Sequence, residues 1–119
     1  MKRLLSTLAV LAVSATGAMA GNISIVDQWG AGNFSGVGQA GDFNTQYTGQ
    51  LGVANGSMTV QSGLANGSST VQIGAGNNSI TDQIGALNSS STTQMGVNGH
   101  FSDTEQVGLG NVSVTVQTD

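Results

Sequence analysis

Glutamine recurs every eleven residues at Gln28, Gln39, Gln50, Gln61, Gln72, Gln83 and Gln94. One extra residue then intervenes before Gln106, and Gln117 restores the interval. A unit this short cannot bury a hydrophobic face on its own, so successive units must stack on one another. Two residues after each glutamine stands a glycine: Gly30, Gly41, Gly52, Gly63, Gly74, Gly85, Gly96 and Gly108. Five residues after comes an asparagine, Asn33, Asn44, Asn55, Asn66, Asn77, Asn88 and Asn111, and Asn22 precedes the first unit. In the lengthened unit His100 takes that slot, with Asn98 just before it.

Within a unit the residues alternate in character, as in Asn55-Gly56-Ser57-Met58-Thr59-Val60-Gln61. A period of two marks a strand, and threonine and valine favour one. The glycine-containing link gives the backbone freedom for a sharp corner. An eleven-residue period also suits a right-handed coiled coil. The regular glycines and the β-branched alternation oppose helix and exclude that reading. The pattern predicts an all-β chain, a parallel β-solenoid of nine strand-turn units with two strands per coil, stacked at about 4.8 Å. The strands begin near Asn22, Asn33, Asn44, Asn55, Asn66, Asn77, Asn88, His100 and Asn111. Stacking places like residues on like, which rewards ladders of Asn and Gln in a way an antiparallel meander does not.

Two sets of alternate positions compete for the interior. One is nearly uniform: a serine such as Ser57, a threonine such as Thr59, then the glutamine. The other holds most apolar bulk, including Ile25, Trp29, Leu51, Met58, Ile73 and Ile84, but also Asp27, Asp82, Asp103 and Glu105. Burying those carboxylates without a cation is costly. Within one stacked column that set also ranges in size from glycine to tryptophan, which close packing disfavours. The uniform set is therefore expected inside, with its hydroxyls and amides hydrogen-bonded in ladders along the stack.

Composition narrows the chemistry. Residues 1–20 combine Lys2-Arg3, an apolar run from Leu4 to Val13 and a small-residue site at Ala18-Met19-Ala20, the pattern of a cleaved secretory signal peptide. Residues 21–119 then form the repeat domain. Lys2 and Arg3 are the only cations of the 119-residue chain, so its net charge of −4 becomes −4 − 2 = −6 after cleavage. With no cation left, binding to nucleic acid is excluded. There is no cysteine and a single histidine, which leaves no thiolate nucleophile and no Cys-based or multi-His metal site. No cofactor is expected. Asp103 and Glu105 are the only closely spaced carboxylates, and on a strand they serve better as a charge break than as an acid/base pair. The chain is not expected to be an enzyme.

Short motifs produced by the repeat are discounted. Gly36-Val37-Gly38-Gln39-Ala40-Gly41 matches a dinucleotide fingerprint but no helix follows it. The Asn-x-Ser triplets, such as that starting at Asn55, match glycosylation acceptors only because the unit contains them. His100 is expected at a turn.

The spacing Asn/Ser-x5-Gln-x-Gly-x2-Asn-x5-Gln resembles the curlin repeat of curli fibre subunits, over essentially all of residues 21–119. The resemblance implies a secreted functional-amyloid subunit that self-assembles into extracellular fibres on the bacterial surface, for biofilm matrix, adhesion and aggregation. It implies further copies of the chain as the main partner, with a nucleator or major-subunit partner, an outer-membrane curli-type secretion pore and accessory chaperones. The Gln, Asn and Gly positions above would be the self-assembly ladder and its turns. The inward positions depart from the family, holding serine and threonine where aliphatic residues are typical. Alternatives are the minor nucleator of the same fibre, a monomeric soluble adhesin, and an ice- or carbohydrate-binding solenoid presenting Ser-x-Thr columns outward.

Overall fold

The computed structural model describes residues 21–119; the expected signal peptide lies outside the described residues. Nine strands follow one another: β1 (Ile23–Ala31), β2 (Phe34–Asp42), β3 (Thr45–Val53), β4 (Gly56–Leu64), β5 (Gly67–Ala75), β6 (Asn78–Ala86), β7 (Ser89–Gly96), β8 (Phe101–Leu109) and β9 (Val112–Thr118). Odd strands form one sheet in the order β1-β3-β5-β7-β9, and even strands a second in the order β2-β4-β6-β8. Every pairing is parallel and in register, so that Gln28 lies beside Gln50, Thr59 beside Thr81 and Ser68 beside Ser90. The chain is the expected parallel β-solenoid of two-strand coils.

Two left-handed residues make each corner. The first is the glycine two places after the glutamine. At Gly74 φ is +125°, and a Cβ there would lie 1.8 Å from the carbonyl oxygen of Gly96 in the next coil. Glycine meets both demands, positive φ and close backbone approach. The second left-handed position, two residues further on, is filled by Phe43 (φ 59°), Ala54 (φ 55°), Ala65 (φ 54°) and Leu87 (φ 58°) in four of the corners. Corners also bond from coil to coil: Ala54 N donates to Ala31 O at 2.9 Å and Phe34 N to Asn55 O at 2.8 Å. The inserted residue of the lengthened unit is absorbed in the link between β7 and β8. Registers on either side are unaffected, with Gln83 beside Gln106 and Gln94 beside Gln117.

The interior is polar. Among the described residues no hydrophobic side chain is fully buried, whereas Gln61, Gln72, Gln83 and Gln94 have no exposed surface. Serine, threonine and glutamine point in, as expected, and Ile25, Trp29, Leu51, Met58, Ile73 and Ile84 stand outside. The expected hydroxyl ladder does not form. The hydroxyls of Ser35, Thr59, Ser68, Thr70, Ser79, Thr81, Ser90 and Thr92 are buried without a hydrogen-bond partner. Geometry explains the difference. Stacked hydroxyl oxygens repeat at the strand spacing of about 4.8 Å, too far for a bond. A primary amide places its oxygen and nitrogen roughly 2.2 Å apart, given its C=O and C–N lengths, and so leaves a remainder of about one hydrogen-bond length.

Candidate assembly interface

The amides continue from coil to coil without interruption. In the five-stranded sheet Nε2 of Gln28, Gln50, Gln72 and Gln94 donates to Oε1 of the next glutamine at 2.6, 2.7, 2.8 and 2.7 Å. In the other sheet Gln39, Gln61 and Gln83 do the same at 2.8, 2.7 and 2.7 Å. From Gln39 onward, a proton of each amide also crosses between the sheets. Gln50 Nε2 donates to Phe34 O at 3.0 Å, Gln72 to Gly56 O at 2.7 Å, Gln106 to Ser89 O at 3.0 Å and Gln117 to Phe101 O at 2.9 Å. Each of these eight glutamines thus fastens its strand to the start of the preceding strand in the opposite sheet. Burial of the amide is tolerable because both protons and the oxygen are engaged.

Asparagines lock the corners. Asn55 Nδ2 donates to Leu51 O at 3.4 Å and to Gly74 O of the next coil at 3.1 Å, while its Oδ1 accepts from Asn77 N at 3.1 Å. Asn33, Asn44, Asn66 and Asn88 repeat this set. Asn22 and Asn111 make the part of it that a neighbouring coil permits. His100 fills the slot with its backbone alone: its N–H donates to Asn77 Oδ1 at 3.1 Å, and its ring turns toward Asp119, with Nε2 3.3 Å from Oδ1.

All the ladder positions read from the sequence are therefore brought together, the glutamines in two interior files and the asparagines and glycines in two corner files. Sequence reasoning missed the second left-handed corner position. Gly32, Gly76 and Gly110 mark it in three units and Gly99 in the lengthened one, but alanine, phenylalanine and leucine in the other four hide the column. Gln46, which takes the serine position of the inward set in β3, lies on the inner face as expected. Gln46 Oε1 accepts from Ser24 Oγ at 3.0 Å and its Nε2 donates to Thr48 Oγ1.

At the two ends of the stack the files are open. Among the described residues β1 and β2 are each paired along one side only, as are β8 and β9. At the β1–β2 end, Oε1 of Gln28 and of Gln39 accepts from no described donor, while at the β8–β9 end Gln106 and Gln117 each have one amide proton left. Acceptors at one end thus match donors at the other. Asp103 and Glu105 lie on the exposed face of β8, apart from these files, and the described residues contain no group of three or more His, Cys, Asp or Glu side chains placed to hold a metal. The Ser-x-Thr columns lie inside, so they form no outward array for ice or sugar. Comparison with protein-family models, with curated proteins and with solved structures finds no match.

Proposed function

We propose that this chain is a secreted structural subunit that polymerises end to end into an extracellular curli-like amyloid fibre on the bacterial surface. One observation carries the reading: among the described residues, the donor end and the acceptor end of the same amide files are complementary and open. A contact between opposite ends of one molecule is heterologous, and repeating it builds a filament rather than a closed ring when the units stack along a straight axis. Each joint adds parallel backbone pairing to two strand edges and extends the glutamine files, the arrangement that makes cross-β stacks persistent. The fibre would serve biofilm matrix, adhesion and aggregation, with a nucleating partner and a curli-type export pore as the implied accessory proteins. In the same fibre the chain could equally act as the minor, nucleating subunit.

Electron microscopy of the purified repeat domain after prolonged incubation at micromolar concentration tests the reading. The expected outcome is unbranched filaments with a meridional reflection at about 4.8 Å. A solution that stays monomeric, with or without fibre seeds, refutes it.

A further inference from the structure

The two outer faces of the solenoid differ in charge. Asp42, Asp82, Asp103 and Glu105 all belong to strands of the four-stranded sheet, whereas the five-stranded sheet carries Asp27 on its terminal strand β1, with Asp119 just past the end of β9. The less charged face is also shaped. Its last outward column holds the large exposed side chains Trp29, Leu51, Ile73 and Met95, a ridge along the stack. Its first outward column holds Thr45, Gly67 and Ser89 on the strands of Leu51, Ile73 and Met95, a trough closed at its ends by Ile23 and Val112. Between them, on β3, the ring of Tyr47 lies over Gly49 of its own strand, its hydroxyl 2.9 Å from where a Cβ would stand.

We infer that this five-stranded face pairs with the same face of a second copy, about a two-fold axis parallel to the stack. That axis reverses strand direction in the partner, so each ridge lies over the other's trough. Leu51 meets Thr45, Ile73 meets Gly67 and Met95 meets Ser89. A two-fold along the strands would instead set ridge on ridge and leave the trough empty. The parallel arrangement interdigitates as packed sheets do, at about 10 Å separation, and leaves the acidic four-stranded face in water. The area is five strands at about 4.8 Å by nine residues at about 3.3 Å, or roughly 600–700 Å² per copy. A pair then buries on the order of 1,200–1,400 Å², the lower part of the range for stable interfaces. Isolated chains should pair weakly, and a row of linked copies more strongly, since every second copy of the row presents this face on a given side. The pairing goes beyond the fibre reading and does not require it.

The native chain has no cysteine, so thiols can be placed at will. Gly67→Cys and Ile73→Cys combined should give a covalent dimer with a short bis-maleimide. The two positions within one chain lie about 20 Å apart on a strand, beyond the linker. Ile73→Cys alone and Ile84→Cys, on the four-stranded face, should lose that dimer band. Equal dimer from Ile73→Cys alone would show the ridge-on-ridge arrangement, and dimer from Ile84→Cys the other face; either overturns the proposal. So does absence of dimer from a double variant whose circular dichroism matches the native chain. Should the thiol variants not fold, Ile73→Asp decides by microscopy: native filaments run in pairs and the variant's singly, while native filaments that run singly sink the pairing and leave the end-to-end reading standing. Crosslinked dimers without filaments would do the reverse.

Discussion

Thr70 and Thr48 occupy the same inner column yet differ in their hydrogen bonds. Thr70 Oγ1 is buried without a partner, whereas Thr48 Oγ1 accepts from Gln46 Nε2 and lies 3.5 Å from Ser57 Oγ. An unpaired buried hydroxyl costs about 1–3 kcal/mol, and valine has nearly the shape of threonine. The column already accepts valine, since Val26 stands beside Thr48 and Val37 beside Thr59. Thr70→Val should therefore raise the urea midpoint, by about 1 kcal/mol, and Thr48→Val should lower it by a similar amount. Midpoints that move in the same direction would show that the hydroxyls do not distinguish the two sites. Removing an amide is costlier. Gln72→Ala deprives Gln50 Nε2 of its acceptor, Gln94 Oε1 of its donor and Gly56 O of its bond. The expected loss is about 3–5 kcal/mol, read from the same denaturation curve.

At the scale of a strand and its corner, glycine and charge set the limits. Gly74→Ala would force an L side chain to φ +125° and push its Cβ against Gly96 O, so a loss of at least about 2 kcal/mol is expected. Gly67 has ordinary backbone angles and open space around its Cβ position; Gly67→Ala should change the midpoint by less than about 0.5 kcal/mol. Comparing the two separates corner geometry from glycine content. On the four-stranded face Asp82 lies directly beside Glu105 in the β6–β8 pair. Like charges opposite one another oppose pairing, and Asp82→Asn should stabilise by about 0.2–1 kcal/mol. The gain should shrink in 1 M salt, where screening already weakens the repulsion; a gain independent of salt would point to a cause other than charge.

At the scale of the whole molecule, the stack carries a net charge of −6 over residues 21–119 with no lysine or arginine to offset it. Joining molecules end to end brings such charges together along one axis, so self-repulsion should slow assembly. Added salt at neutral pH is expected to shorten the lag before filaments form. A lag indifferent to salt would place the rate-limiting step elsewhere, in ordering the first strand pairs.

Repetition made most of the fold legible. An eleven-residue interval, a period-two alternation within it and a glycine at each corner leave few folds besides a stacked parallel solenoid, and carboxylates in the apolar set are enough to turn that set outward. The ladder residues were legible for the same reason: in a stack, identical offset means contact. What the tertiary structure alone decided depends on distances that no pattern of residue types contains. The coil spacing lets an amide bridge to its neighbour and strands a hydroxyl, so Gln72 is bonded from above and below while Thr70 beside it is not. The second left-handed corner position, at Ala54 and Leu87, follows from closing the coil rather than from any local preference of those residues. Two strands per coil, as the repeat implied, sort alternate units into two sheets, and with them the contrast between a weakly charged ridged face and an acidic one. Neighbours in the sequence lie on opposite sides of the molecule, and residues 22 or 23 apart share a surface.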